Sequence, residues 1–315
     1  MLREPNKADL INAYEIVKQY AHRTPVLSSE QINEIAGCKL FFKCENMQKV
    51  GAFKFRGAIN AINQLDDEAV KKGVATHSSG NFAQALALSA KMKGVPAHIV
   101  MPRTAPQIKK NAVAGYGAKI YESEPTQEAR EALLDKVVTE TSATFIHPYN
   151  DYDIIAGQGT ATLELIEDTD KLDIIISPVG GGGLLSGTLL SAHYFSPETK
   201  VFAAEPAGAD DAFRSIRDDK IYPSVKPNTI CDGLLTSLGD KTFPIIKKYV
   251  NEIITVSDEV TIKAMHLIFE RLKIVVEPSA AVTLAIVMDN PEKFAGKNVG
   301  LILSGGNVDL NKLPW

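Results

Sequence analysis

The sequence is poor in cysteine and has no long apolar run. Its three cysteines, Cys38, Cys44 and Cys231, lack metal-ligand spacing, which predicts reduced, buried thiols. No apolar run reaches the ~18 residues that a membrane span needs. The first ten residues, MLREPNKADL, contain no apolar signal region. We therefore expect a cytoplasmic protein that makes no membrane contact.

The sequence also lacks a dominant charge and several familiar catalytic motifs. A net charge of −4 over 315 residues gives no reason to expect nucleic acid as a partner. Neither a GxSxG elbow nor a GxxxxGK phosphate loop is present. The six histidines show no metal-ligand spacing, and His77, His98 and His147 are expected to be satisfied core residues.

What the sequence does contain is a regular alternation of strands and helices, with no internal repeat. We predict strands at 39–44, 74–78, 97–102, 118–122, 143–148, 174–176, 200–206, 252–257 and 297–307. We predict helices at 7–21, 81–94, 105–117, 126–141, 155–168, 184–190 and 258–272. Three more helices have only one predicted end: one begins at about 56, one ends at about 218 and one begins at about 279. Such alternation indicates βαβ units, a mainly parallel sheet, and an active site at the carboxyl ends of the strands.

A glycine run follows one of the buried strands directly. Ile174–Ile176 is β-branched and apolar, and Gly180, Gly181, Gly182 and Gly183 lie between it and a leucine-rich helix. Free backbone N–H groups and a positive helix end make such a turn a binding site for an anion, typically a phosphate. A flexible linker is the alternative, and the flanking elements disfavour it.

Lys54 is the first candidate for chemistry. It lies between Phe53 and Phe55 at a predicted helix start, where desolvation and the helix dipole would lower its pKa and free a nucleophilic amine. On this segment alone, an ordinary surface lysine is the favoured interpretation.

Two further turns follow predicted strands and offer hydroxyl groups. SSGN at 78–81 suits a carboxylate, and an ordinary helix cap is an equal alternative. SGGN at 304–307 places the Ser304 hydroxyl at a strand end, with a plain C-terminal turn as the alternative.

An acidic segment follows the strand at 200–206. Glu205 and Asp211, with a carbonyl between them, would suit a hard divalent cation. A solvated acidic helix start is favoured on these residues alone.

Taken together, these segments indicate a protein family far more specifically than any one of them does. AFKFRGA at 52–58, SSGN, VGGGG at 179–183 and SGGN resemble the fold type II pyridoxal phosphate enzymes, in particular the serine racemase and serine/threonine dehydratase group. IAGQGT at 155–160, HPYND at 147–151 and AAEPAGADD at 203–211 also match, so the likeness spans nearly the whole chain.

The resemblance implies an α/β fold like that of the tryptophan synthase β-subunit. Two open, twisted, mainly parallel sheets would have helices on both faces. A large cofactor-binding domain would comprise 1–68 and 148–315, and a small substrate-closing domain 69–147. The regulatory C-terminal domain of biosynthetic threonine dehydratases is not expected after Trp315. A homodimer is expected from the likeness alone.

The resemblance also implies a role for each matching residue. Lys54 would carry pyridoxal phosphate as a Schiff base and act as the base at the substrate's Cα. The other implied cofactor contacts are Phe53 and Asn81 at the ring, Gly180, Gly181, Gly182 and Gly183 at the phosphate, and Ser304 at the pyridine nitrogen. The implied substrate contacts are Ser78, Ser79, Asn81 and Arg130, with Ser79 as a second proton carrier. Glu205, the Ala209 carbonyl and Asp211 would bind Mg²⁺ or Ca²⁺.

The expected activity is dehydration of serine or threonine to ammonia and a 2-oxo acid. Serine racemase is one alternative, and a 3-hydroxyaspartate dehydratase, whose extra carboxylate Arg130 would suit, is another. A non-catalytic small-molecule binding protein is the alternative outside enzymes. The chain departs from the family pattern at Phe82, usually histidine, and at Ala52, usually serine. Tyr149 replaces the asparagine of animal-type racemases, which favours dehydration.

Overall fold

The computed structural model describes residues 1–315 as an α/β protein. Its strands are β1 (Val26–Leu27), β2 (Lys39–Cys44), β3 (Val74–His77), β4 (Ala97–Pro102), β5 (Lys119–Ser123), β6 (Thr144–Phe145), β7 (Ile174–Pro178), β8 (Lys200–Pro206), β9 (Glu252–Val256) and β10 (Asn298–Leu303). Its α-helices are α1 (Lys7–Val17), α2 (Glu30–Ala36), α3 (Lys54–Asn63), α4 (Asp67–Lys72), α5 (Asn81–Lys93), α6 (Gln107–Gly115), α7 (Gln127–Thr141), α8 (Tyr152–Glu167), α9 (Gly183–Phe195), α10 (Asp211–Arg217), α11 (Thr242–Tyr249), α12 (Asp258–Leu267), α13 (Pro278–Asp289) and α14 (Pro291–Phe294).

The larger sheet has six strands in the order β1-β2-β10-β7-β8-β9. Only the short edge strand β1 runs antiparallel to its neighbour. One apolar cluster packs α13 and α12 on one face, and another packs α8, α9 and α11 on the opposite face. The sheet is therefore covered on both sides, as a parallel sheet must be.

The smaller sheet has four parallel strands in the order β5-β4-β3-β6. One face packs against α5 and α3, and the other against α7. All four strands lie between Val74 and Phe145, inside the segment 69–147. That this segment closes over substrate as a separate domain stays a prediction.

The two-sheet α/β class is confirmed, but several predicted boundaries were wrong. The strand at 143–148 contains only Thr144–Phe145, because the His147 ring accepts the backbone N–H groups of Tyr149 and Asn150 and turns the chain. The helix expected at 258–272 is α12 followed by a π-helical turn, Ile268–Leu272. Sequence reasoning missed β1, α2, α4, α11 and α14 altogether.

The turn between β7 and α9 sets the geometry of the glycine run. All five residues of β7 and the first ten of α9 are buried, so the turn lies in the interior. Gly182 caps α9 with φ +87°, a left-handed conformation that glycine adopts without strain.

Although α9 is strongly apolar, no helix in the structure is both long and apolar enough to cross a membrane.

A buried ionic cluster fixes α3 against α8. Arg56 donates to Glu45 at 2.7 Å and to Glu164 at 2.7 Å. Lys43 donates to the same Glu164 carboxylate at 2.7 Å and to the Thr24 carbonyl at 2.7 Å. Arg56 and Lys43 are 0% exposed, so each charge depends on its partners for solvation. The cluster therefore anchors the helix that begins at Lys54.

We expect Arg56→Met to lower the free energy of unfolding by about 3–5 kcal/mol, because it leaves buried carboxylates without their cation. Urea denaturation measures the change. Arg217→Met, which removes an exposed arginine paired with Asp218, is the matched control and should leave stability almost unchanged. Equal losses in the two variants would contradict a special role for the buried cluster.

Candidate active site

Lys54 is the first residue of α3 and is held against the end of β10. The Phe53 N–H donates to the Ser304 carbonyl at 3.0 Å, and Ala52 forms an antiparallel bridge with Gly305. The structure thus brings the lysine segment and the SGGN turn together. The Lys54 amine reaches across to donate to the Pro148 carbonyl at 3.0 Å.

The surroundings of the Lys54 amine shift it towards its neutral form. The amine lies 5.1 Å from the Phe53 ring centre and 5.7 Å from that of Phe82. Burial lowers the pKa of Lys54 to about 8, against an opposing effect from the Glu277 carboxylate. A useful fraction of the amine is therefore unprotonated near neutral pH, as a nucleophile or a base requires.

A hydrogen-bonded network joins the SSGN turn to the SGGN turn. The Asn81 amide donates to the Glu277 carboxylate at 3.1 Å and accepts from the Asn307 amide at 2.9 Å. The Asn307 amide also donates to the Val50 carbonyl at 2.8 Å, and its backbone N–H donates to Glu277 at 3.2 Å. The turn of the smaller sheet is thereby tied to the loop that precedes Lys54.

Glu277 is the principal residue of this site that sequence reasoning missed. It is 5% exposed, and burial raises its pKa to about 7, while the Asn81 hydrogen bond acts in the opposite direction. Its only sequence signal is its position before Pro278, a residue that often begins a helix. Nothing in the sequence pairs it with Asn81, which lies 196 residues away.

The glycine turn presents buried backbone donors that have no protein acceptor. Residues 180–183 are buried, and their N–H groups make no hydrogen bond within the chain. Buried backbone N–H groups are almost always paired in folded proteins. Unpaired N–H groups at the start of α9, where the helix dipole is positive, therefore indicate a site for an anion.

Tyr149 packs directly on the glycine turn. A Cβ atom on Gly181 would lie 2.5 Å from the Tyr149 ring, and one on Gly183 would lie 2.9 Å from its Cβ. Tyr149 follows Pro148, whose carbonyl accepts from Lys54. The glycines therefore admit an aromatic ring that links the anion site to the lysine, a contact that sequence reasoning did not foresee.

The serine turn follows β3 at the carboxyl edge of the smaller sheet. Ser78 and Ser79 are half-buried, and the Ser78 hydroxyl accepts the Gly80 N–H at 3.4 Å. Arg130 lies on α7 and contacts only the Thr126 carbonyl of its own helix, at 3.4 Å. The structure does not bring Arg130 into contact with the other predicted site residues, and its role as a substrate ligand stays a prediction.

The predicted metal ligands lie around the start of α10. Glu205 and Asp211 are 1% and 2% exposed, and Ala209 is also buried. The Glu205 carboxylate accepts the N–H groups of Ala212 and Phe213 at 2.7 and 2.8 Å, and so caps α10. One Asp211 oxygen is buried without a partner, but the structure contains no cluster of three or more acidic, histidine or cysteine ligands.

The fold combines a buried lysine with an anion turn and a serine turn, each of which follows a strand. Together these features define a class of enzyme, and comparison with known proteins identifies that class. Residues 17–305 match the family described as "Pyridoxal-phosphate dependent enzyme". The chain belongs to this family, and its fold is that of the fold type II members.

Its relatives are lyases and racemases. It is 52% identical over 311 residues to the beta-hydroxyaspartate dehydratase of Paracoccus denitrificans, with 99% of each chain covered. The crystal structure of serine racemase from Dictyostelium discoideum is 50% identical, with a TM-score of 0.93 and coverage of 97% of this chain and 99% of that one. The crystal structure of T.th. threonine deaminase is 40% identical, with a TM-score of 0.93 and the same coverages.

The residues present fit pyridoxal phosphate. The four unpaired N–H groups at 180–183 suit its phosphate, and the partly neutral Lys54 amine suits its aldehyde. Ser304 is 3% exposed beside the Lys54 segment, as a neutral partner for a ring nitrogen would need to be. The individual contacts that we predicted for Phe53 and Asn81 with the ring remain predictions.

We expect Gly181→Ala to weaken pyridoxal phosphate binding roughly tenfold or more, because the new Cβ forces Tyr149 off the anion turn at a cost of ~1–3 kcal/mol. Titration of the cofactor followed by visible absorbance measures the affinity. Gly115→Ala is the control, since a Cβ there meets nothing within 4 Å. Unchanged affinity in Gly181→Ala would contradict the proposed phosphate position.

Proposed function

We propose that the chain eliminates water from a 3-hydroxy amino acid, serine or threonine, to give ammonia and a 2-oxo acid. The observation that carries the proposal is the Lys54 amine, which is desolvated beside the Phe53 and Phe82 rings. It donates to the Pro148 carbonyl, next to the Tyr149 ring that packs on the anion turn. Bound pyridoxal phosphate would supply an electron sink for charge that develops at the substrate's α-carbon.

Residues of the chain would then bind the substrate, move its proton and exclude water. The SSGN turn would hold the substrate carboxylate with its hydroxyls and the N–H groups at the start of α5. The neutral Lys54 amine would take the proton from the α-carbon, and elimination needs no other base. Tyr149 and Phe82 would exclude water from the lysine, since both lie beside it or its carbonyl partner.

Racemisation in the same site is the second candidate. It needs a proton carrier on the opposite side of the α-carbon, and Ser79 is the residue positioned for that role by the resemblance. The racemase relatives support this candidate. Tyr149, in place of asparagine, supports elimination as the main activity.

A 3-hydroxyaspartate dehydratase is the third candidate. Arg130 supports it, because its guanidinium forms no ion pair within the chain and is free to meet a second carboxylate. A relative named beta-hydroxyaspartate dehydratase, at 52% identity, supports it as well.

The first test distinguishes the proposed enzyme from the alternative of a non-catalytic binding protein. We expect the chain purified with pyridoxal phosphate to absorb visible light and to release ammonia from at least one 3-hydroxy amino acid. A protein that takes up the cofactor yet releases no ammonia from serine, threonine or any 3-hydroxyaspartate would refute the enzyme.

We further propose that Glu205, the Ala209 carbonyl and Asp211 bind Mg²⁺ or Ca²⁺, with the unpaired Asp211 oxygen as support. Thermal unfolding with and without chelator tests this, and we expect the cation to raise Tm in the wild type and not in Asp211→Asn. No shift in the wild type would exclude the site.

A homodimer is proposed from the family resemblance, and the oligomeric state in solution tests it.

A further inference from the structure

A buried hydroxyl group lies directly behind the glycine turn. Thr242 is the first residue of α11 and is 0% exposed. Its Oγ1 lies 2.9 Å from the Gly181 carbonyl oxygen and accepts the Gly239 N–H at 2.9 Å. The Gly239 carbonyl is farther away, at 3.3 Å, so the single hydroxyl proton is donated to Gly181. The glycine turn therefore receives a hydrogen bond from a segment 61 residues along the chain.

The bond to the Gly181 carbonyl fixes the direction of the N–H group that follows it. All peptide bonds in the chain are trans, so the Gly181 carbonyl and the Gly182 N–H point to opposite sides of one planar unit. Since Thr242 holds the carbonyl on the side of α11, the Gly182 N–H points away from α11. That N–H has no acceptor within the chain. It is therefore directed at the side of the turn that is left for an anion.

Side chains on both sides keep the peptide between Gly181 and Gly182 in this orientation. A Cβ atom on Gly182 would lie 2.7 Å from Ile246 and 2.9 Å from the Thr242 Cβ. A Cβ atom on Gly181 would lie 2.5 Å from the Tyr149 ring. A flip of this peptide would also leave the buried Gly181 carbonyl without its donor, which is costly. The hydroxyl and the packing therefore select the same orientation.

The segment that carries Thr242 is itself held by hydrogen bonds to Asn150. The Asn150 side chain accepts the Lys241 N–H at 2.9 Å and donates to Asp240 at 2.6 Å. A Cβ atom on Gly239 would lie 2.3 Å from the Asn150 side chain, so the two segments are in direct contact. These contacts place Thr242 at a fixed distance from the glycine turn.

Capping of α11 does not explain the hydroxyl bond. A capping side chain accepts an N–H group two or three residues later in its own helix. The Thr242 hydroxyl instead contacts Gly181 and Gly239, both of which lie outside α11, and the cap residue Lys241 makes no side-chain hydrogen bond. The direction of the hydroxyl is thus set towards the glycine turn.

We propose that Thr242 is a positioning residue for the cofactor's phosphate. Its hydroxyl holds the Gly181 carbonyl and so aims the Gly182 N–H at the phosphate oxygens. A hydrogen bond to a charged acceptor is about twice as strong as a neutral one and weakens steeply when it is misaligned, so the orientation of this peptide controls affinity. The inference rests on the glycine turn as the phosphate site and is independent of the substrate and of the reaction.

Two substitutions at position 242 separate the hydroxyl from the rest of the side chain. Thr242→Val keeps the shape and removes the hydroxyl, whereas Thr242→Ser keeps the hydroxyl and removes the methyl group. Thr261→Val is the matched control, because it removes a buried hydroxyl that donates to the Ser257 carbonyl at 2.9 Å in α12, on the opposite face of the larger sheet. Circular dichroism and Tm show which variants fold, and Thr242→Ala replaces Thr242→Val if the latter does not.

The measurement compares pyridoxal phosphate with pyridoxal, which lacks the phosphate. Each compound is titrated into the full-length protein after removal of its cofactor, and visible absorbance gives the two dissociation constants. Thr242→Val should weaken binding of pyridoxal phosphate roughly 10- to 100-fold and of pyridoxal less than about threefold, because only the phosphate meets the turn. Thr242→Ser and Thr261→Val should keep the wild-type ratio of the two constants within about threefold.

A purely structural role for Thr242 predicts a different result. Thr242→Val would then lower Tm and weaken the binding of both compounds by the same factor. Equal weakening of both compounds would overturn the proposal, as would unchanged affinity for pyridoxal phosphate or the same selective loss in Thr242→Ser. A protein that releases no ammonia from any 3-hydroxy amino acid refutes the proposed elimination, while the ratio of the two constants still decides the role of Thr242.

Discussion

Lys54→Ala should lower kcat for ammonia release by roughly 10⁴-fold, the largest effect that we expect from any single substitution. The variant removes the buried amine that lies beside the Phe53 and Phe82 rings and donates to the Pro148 carbonyl. It also removes the group that would take the proton from the α-carbon. Purified with pyridoxal phosphate, the variant should lose the visible absorbance that the wild type shows, while circular dichroism stays that of a folded α/β protein.

Two controls make the Lys54 result specific. Lys71→Ala removes an exposed lysine paired with Glu68 at 2.8 Å and should leave kcat as it is. A small primary amine such as ethylamine, added to Lys54→Ala, should restore part of the activity because it can replace the missing base. Full activity in Lys54→Ala would show that another residue performs the chemistry.

Ser79→Ala should separate racemisation from elimination. Racemisation of L-serine should fall by roughly 10²–10⁴-fold, because it loses the proton carrier on the side of the α-carbon opposite Lys54. Elimination from L-serine should fall less than about tenfold, since Lys54 is its only base. Chiral chromatography of serine and an assay for ammonia in the same reaction measure the two activities together.

Ser78→Ala is the matched comparison for Ser79→Ala. It lies one residue earlier in the same turn, where it would help to hold the carboxylate, so both activities should fall by a similar factor through KM. Equal loss of racemisation and elimination in Ser79→Ala would refute the use of two bases.

The sequence predicts local structure well where one physical signal dominates. The run Ile174–Ile176 and the following glycines produce a buried strand, a turn and a helix close to the expected positions, because β-branched and glycine residues each restrict the backbone strongly. The parallel sheets follow from the alternation of elements, since βαβ units allow little else.

The sequence fails where a side chain from a distant segment decides the structure. Strand β6 is a local exception, because the His147 ring accepts the N–H groups of Tyr149 and Asn150 and turns the chain just after the strand. The role of Glu277 depends on Asn81 and Asn307, which no local pattern connects to it. His77 looked like a core residue because it ends an apolar strand, yet its nitrogens have no partner in the fold.

The most direct test of the central claim is a single assay that quantifies ammonia and 2-oxo acid together. It uses the cofactor-loaded protein with L-serine, D-serine, L-threonine and the 3-hydroxyaspartates. Water elimination predicts equal amounts of the two products from at least one of these amino acids, and none from L-alanine, which has no β-hydroxyl. A chiral change without ammonia would contradict the claim, as would no product at all from a protein that has bound pyridoxal phosphate.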